Sequence, residues 1–176
     1  MQLKDFDFRI WNKDEETLTY ASKDYKLDIG FSNPQQDYGV CESELHAYYD
    51  GEPMCPSDCE IELWSGFCDK NGKKIYEGDI VKYDSRTKPL VAVFEKNTFY
   101  IVDISIKKNL QVDCGTRLQG IYDNGSNGYK DKKLECLKVV GNIHENADLL
   151  EKERGLIMRI ECKYEDIYDS KGFPKY

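Results

Sequence analysis

Two carboxylates flank a glycine in the stretch YEGDIV, at Glu77 and Asp79. Paired acids can hold a divalent cation or divide the roles of proton donor and acceptor. In a strand, residues two apart share a face, so both could point at one ligand. The same acids can instead accept hydrogen bonds from the backbone amides of the preceding turn. No third ligand or partner base stands at a recognisable spacing, which favours the structural reading. Four of the seven cysteines fall between Cys41 and Cys68. Cys41, Cys55, Cys59 and Cys68, with His46 nearby, could form a tetrahedral zinc site that orders a Pro/Gly-rich loop. The Cys55-x-x-x-Cys59 spacing permits this, but the paired knuckle of a zinc ribbon is missing. Buried or free thiols are therefore the ordinary alternative, and no cofactor is expected beyond that zinc.

Other chemistry has little to build on. His46 and His144 are the only histidines, so a nucleophile–base arrangement must use one of them. His144 reads as a surface residue. The chain contains no G-x-S-x-G, no phosphate-binding Walker loop and no H-E-x-x-H, so no catalytic residue is assigned. The 13 tyrosines are many for this length. Tyr48, Tyr49, Tyr76, Tyr83, Tyr100 and Tyr122 could line a recognition face, offering apolar area with a polar tip, or could pack on sheets as strand residues do. Lysines at 70–74, including Lys73 and Lys74, and at 130–133 form two basic turns beside such aromatics. That combination suits single-stranded nucleic acid.

These residues depend on a β-rich frame. FDFRIWN alternates aromatic and polar residues as a half-buried strand would. NKDEE turns the chain, and TLTYAS returns as a hairpin arm. YKLDIGF alternates again, and SNPQQDYG reads as a loop. Residues 43–49 suit a short strand or one helical turn, and Gly51, Pro53 and Pro56 argue against regular structure after it. IELWSG is a strand, with Asn71-Gly72 as a tight reversal. IYEGDIVKY is the next strand, with Gly78 as a bulge or bend. LVAVFEKNTFYIVDISI gives two strands joined at Glu95–Thr98. LECLKVVGNI is another strand, and ENADLLEKERG a short helix with Asn146 as N-cap and Leu149 and Leu150 inward. LIMRIECKYEDIY is a last extended segment. Five strands between about 61 and 144 suit a small SH3-like barrel.

The 176-residue length allows one domain or two small ones. A hydrophobic fraction of 40% beside a charged fraction of 33% fits a chain with a well-solvated surface. No apolar run approaches the roughly 18 residues of a membrane span, and MQLKDFDFRIW lacks a signal-peptide core. The expected location is the cytoplasm, where a disulfide framework is disfavoured. Residues 1–63 hold 5 Lys/Arg against 15 Asp/Glu, whereas residues 64–144 hold 14 against 10. An acidic whole, with net charge -8, argues against generic nucleic-acid binding, yet the basic middle leaves a local patch open.

The stretch from Trp64 resembles the YopX-like family of phages and prophages, whose core reads roughly TG-L-x-D-x-N-G-x-x-I-Y-x-G-D-I-V. The matching residues here are Gly66, Asp69, Asn71, Gly72, Ile75, Tyr76, Glu77, Gly78, Asp79, Ile80 and Val81. Phe8, Arg9 and Trp11 match an F-R-x-W opening. Gly141, Asn142, Ile143, Glu145, Asn146, Leu149 and Leu150 match a G-N-I-x-E-N-x-x-L-L ending. The resemblance implies an SH3-type barrel in the C-terminal half and a phage or mobile-element origin. It implies no activity.

The expected architecture is mainly β, or β-rich α+β. It comprises an acidic β-rich segment over 1–60, an SH3-like barrel over 61–146, and a short helix with tail over 147–176. The expected function is non-catalytic binding of a host or phage protein, with Tyr76, Glu77, Asp79, Tyr83, Tyr100, Lys73 and Lys74 as the binding residues. The alternatives are nucleic-acid binding through the basic middle, or a metal-dependent enzyme. Self-association is expected too, since strands flanking a small barrel leave edges to cover.

Overall fold

The protein is described here by a computed structural model over residues 6–31, 45–83, 88–124 and 132–150. Two strands, β1 (Phe8–Asn12) and β2 (Thr17–Tyr20), form the expected hairpin. The Asn12 side chain closes its turn by accepting from the amides of Asp14 and Glu15. Two further strands, β3 (Leu27–Phe31) and β4 (Leu45–Tyr49), pair antiparallel, so the ambiguous segment before Asp50 is a strand. Regular structure then continues, against expectation. Asp50 and Gly51 take positive φ of 54° and 87°, the geometry of a tight hairpin turn. This returns the short β5 (Glu52–Pro53) onto β4. Proline fits there because β5 is a sheet edge.

The long strand β6 (Cys59–Asp69) runs through the expected boundary at residue 60 and pairs antiparallel with β1. Beta1 therefore lies between β2 and β6, and Phe8, Arg9, Ile10 and Trp11 are all buried. The half-buried reading of this strand is corrected: alternation separates two packed faces, one apolar and one built around Arg9. The apolar face joins Phe8 and Ile10 to Leu27 and Ala47.

The expected single strand IYEGDIVKY is two, β7 (Lys74–Tyr76) on β6 and β8 (Asp79–Lys82), broken at Glu77-Gly78. The two strands β9 (Leu90–Glu95) and β10 (Thr98–Val102) form the expected hairpin. Lys96 and Asn97 have positive φ at its turn. After them come α1 (Lys108–Gln111), β11 (Thr116–Arg117) and α2 (Leu118–Asn124). The reading LECLKVVGNI as one strand is also corrected. It divides into β12 (Lys133–Leu134), parallel to β6, and β13 (Lys138–Asn142), antiparallel to β8.

The chain is thus mainly β. One sheet has the order β12-β6-β1-β2 with β7 also on β6; a second runs β11-β10-β9-β8-β13; a third is β3-β4-β5. Among the described residues no pairing joins β11 to β13, so the second sheet is open. Its core gathers Ile75, Val81, Ala92, Ile101, Leu118, Leu134, Leu137 and Val139. Leu150 is buried beside Ile80 and Val91, with Leu149 packed against them, as expected. A helical turn begins at 148–150. The Asn146 side chain turns back to accept from the Asn142 amide at 3.2 Å. The rest of the expected helix, the extended segment after it and the loop at 32–39 fall outside the described residues. No helix among the described residues is long and apolar enough to cross a membrane.

Candidate functional site

The acidic motif is dispersed by its own glycine. Gly78 has φ of +76°, and a Cβ there would sit 2.4 Å from Glu62 Oε1. Only glycine fits, and the turn it makes sends the two acids apart. Asp79 is buried, with Oδ2 accepting from the Tyr76 amide at 2.8 Å and Oδ1 at 2.8 Å from Arg9 Nη1. Glu77 is half-buried, and its carboxylate accepts from the Phe94 amide at 3.4 Å. The expectation that both acids share a face is corrected: they hold two different strands. Burial pushes both carboxyls up. For Asp79 the Arg9 charge opposes that rise.

Arg9 is the centre of this construction. Its Nε donates to Glu62 Oε2 at 2.5 Å, and Nη2 donates to the Glu77 carbonyl at 3.0 Å. The guanidinium lies 4.9 Å from the Tyr76 ring centroid. Burial alone would lower its pKa, but Asp79 and Glu62 raise it, so the cation is held. Glu62 Oε1 also meets His144 Nε2 at 2.9 Å, and the His144 ring stacks on Trp11 at 4.6 Å. His144 is thus a packed residue, 12% exposed, and its surface reading is corrected. The Ile143 amide donates to the Gly78 carbonyl at 2.9 Å. Gly141 leaves room for Asn146, whose Oδ1 would lie 2.4 Å from a Cβ.

The F-R-x-W, G-D-I-V and G-N-I-x-E-N segments therefore meet in one buried cluster. The D-x-N-G turn follows the same logic. Asp69 Oδ1 accepts from the amides of Asn71 and Lys73, and Oδ2 from Val139. The YopX protein family profile matches residues 7–151. The chain belongs to this family. The residues that carry the motif resemblance are the ones that tie the first hairpin, β7–β8 and β13 together. A solved structure, protein EF1440 from Enterococcus faecalis, is similar over 82% of this chain and 97% of its own, at 22% identity and a TM-score of 0.43. No curated protein matches the chain.

The remaining assigned residues are scattered. Tyr100 is buried, and its hydroxyl accepts from Arg117 Nε at 3.2 Å. Tyr83 is half-buried against the second-sheet core. Tyr48 and Tyr49 lie on β4, and Tyr122 packs on Phe67. Tyr76, Lys73 and Lys74 share a cavity. Cys55, Cys59 and Cys68 are free thiols, whereas Cys41 lies outside the described residues. Cys59 and Cys68 occupy opposite ends of β6, about 30 Å apart on an extended strand, so they cannot share one ion. His46 pairs with Gly30 across β3–β4. Among the described residues no three His, Cys, Asp or Glu side chains come together to hold a metal.

Two cavities stand beside the buried cluster. The first, of about 330 Å³, opens between β6, the β9–β10 hairpin and α2, with Phe6, Trp64, Phe67, Phe94 and Phe99 in its walls. The second, of about 250 Å³, is lined by Arg9, Tyr20, Ser22, Lys23, Lys73, Lys74 and Tyr76. Sequence reading missed Phe6, Phe94, Tyr20 and Lys23. Nothing local marks them, because their partners lie on distant strands. Asp7 and Glu62 were also missed. A polar residue inside an apolar strand was the available signal, but alternation made it look solvent-facing. Asp7 Oδ2 accepts from Lys74 Nζ and the Tyr76 hydroxyl, each at 2.5 Å. Burial pushes the Asp7 carboxyl up, but those two hydrogen bonds and the Lys74 charge more than offset it, leaving it below the usual range. The Tyr76 hydroxyl is pushed well up by burial and by Asp7.

Proposed function

We propose that the protein is a non-catalytic module that binds another protein, as an accessory factor in a phage or prophage setting. Its partner's contribution is an extended segment with apolar anchors, seated in the cleft between β6 and the β9–β10 hairpin. The carrying observation is the cleft's aromatic wall. Phe6 and Phe94 are 43% and 38% exposed at the rim of a concavity that also holds Trp64, Phe67 and Phe99. Large apolar side chains gathered on a concave surface mark binding sites.

An extended chain suits the backbone there. Along one edge of β6 the amides of Trp64 and Cys68 donate to Asp7 and Lys132. Ser65–Phe67 lies between these points with no strand paired to it on that side among the described residues. Strand addition supplies main-chain bonds, and side-chain pockets supply selectivity. We read the β6–β10 run as SH3-like, because β7–β8 passes from one sheet to the other through the bend at Gly78.

The test is selection of peptides from a random display library, followed by calorimetric titration against the wild type and Phe94→Asp. Phe94 is exposed, so the variant folds, which its thermal midpoint checks. Selected sequences should be extended and apolar-anchored, and Phe94→Asp should weaken them at least about tenfold, the scale of one interface anchor. Peptides that bind Phe94→Asp equally well would overturn the reading. So would a dimer in sedimentation that Phe94→Asp dissolves, which would give the cleft to a second copy.

A further inference from the structure

The fold brings together two basic turns that the sequence keeps about sixty residues apart. Beta12 pairs with the end of β6, and the Cys68 amide donates to the Lys132 carbonyl at 2.9 Å. Lys132 and Lys133 thereby land beside the turn at 70–74; Lys133 Cε would lie 3.8 Å from a Cβ on Gly72. Lys74 Nζ and Lys132 Nζ sit 4.6 and 5.6 Å from the Trp64 ring centroid. Lys74 also lines the 250 Å³ cavity, where Lys23 Nζ lies 4.5 Å from the Tyr20 ring centroid. Lysines and aromatics thus run continuously from Lys23 through Lys73 and Lys74 to Lys132.

The charges of this strip differ in availability. Arg9 is held by Glu62 and Asp79, and Lys74 by Asp7, so these two cations are balanced from behind. Lys23 and Lys73 are exposed, and among the described residues no carboxylate lines the cavity. Positive charge therefore faces outward on a chain whose net charge is -8. Phosphate is the anion that such spaced lysines take as point charges. Aromatic faces interleaved with lysines suit unpaired bases.

We propose that this strip binds a single strand of nucleic acid, with one phosphate in the cavity between Lys23 and Lys73 and the strand continuing past Trp64 to Lys132. This site borders the apolar cleft at Trp64 but does not include its rim at Phe94, and it stands or falls without that rim.

The experiment is fluorescence anisotropy of the full chain with a labelled oligothymidylate of about 12 nucleotides, over a range of sodium chloride concentrations. Affinity should fall with salt at a log–log slope of about 2, from roughly 0.7 for each of three phosphates. The double variant Lys23→Glu with Lys73→Glu, which removes the one phosphate they share, should bind about tenfold or more weakly and lower the slope by roughly 0.7. Lys132→Glu should also weaken binding, and Phe94→Asp should not. Both reversed lysines are exposed, so an unchanged thermal midpoint separates lost contact from lost fold. Wild-type affinity in the double variant, or no saturable binding at low salt, overturns the proposal. Heparin binding as tightly per charge would replace the nucleic acid by a generic polyanion. Full displacement by inorganic phosphate, with Lys132→Glu silent, would reduce the strip to a single-phosphate pocket.

Discussion

Arg9 makes a buried cation a structural keystone, and its energetics are asymmetric. Removing one partner of a buried ion pair leaves an uncompensated charge, which costs about 3–5 kcal/mol. Arg9→Met strands both Glu62 and Asp79. Its unfolding free energy, measured in urea, should fall by that amount, a large share of a small domain's stability. Asp7 adds a pH dependence whose sign is set by its lowered pKa. A carboxylate depressed by folding contributes stability above its ordinary value and loses it below. Stability should therefore decline as pH drops below 3.8, the ordinary aspartate value. Asp7→Asn should be less stable near neutrality and lose part of that acid dependence, measured by urea unfolding across pH. The motif Glu77-Gly78-Asp79 was legible as structural, since no third ligand accompanied it. The direction of each acid was not, because Gly78 turns the chain between them.

Among the elements, the reversal after β6 shows how one side chain can set a register. Asp69 accepts three backbone amides, two from its own turn and one from Val139 on β13. Asp69→Ala leaves those donors without their acceptor in a nearly dry site, where each unsatisfied group costs roughly 1–3 kcal/mol. We expect a loss of at least about 2 kcal/mol in denaturant unfolding, with faster amide exchange at Val139 and Lys73. The strands of the hairpins were readable from alternation and turn residues, because both ends of each pairing are close in sequence. Beta12 on β6, the split at Gly78 and the short β5 were not. They depend on partners elsewhere in the chain or on an edge position that lets proline pair.

For the molecule as a whole, the Arg9 cluster joins the first hairpin to β7–β8 and the turn after β13. Such a cluster ties the pieces into one cooperative unit. Trp11 stacks within it and Trp64 stands on β6, so tryptophan fluorescence reports both regions. Fluorescence and far-ultraviolet circular dichroism should trace one coincident urea transition. Two separated transitions would mean that the hairpin unfolds by itself. The uneven charge has a corresponding consequence. Glu62 and Asp79 neutralise Arg9 and Asp7 neutralises Lys74 from inside, while Lys23 and Lys73 face solvent. Net charge alone pointed away from anions; the local surface points toward them.

Composition, periodicity and turn chemistry by themselves determined a mainly β chain and most of its hairpins, and the resemblance of its motifs pointed to its family. These are carried by neighbours in sequence and by the motif residues on which the resemblance rests. Only the tertiary structure decided what those residues do. It placed Arg9 against Asp79, Trp11 against His144, and Lys132 and Lys133 beside the 70–74 turn. The two cavities arise from such meetings. A contact between residues about seventy positions apart is an energy of the folded chain, and no local pattern of either segment encodes it.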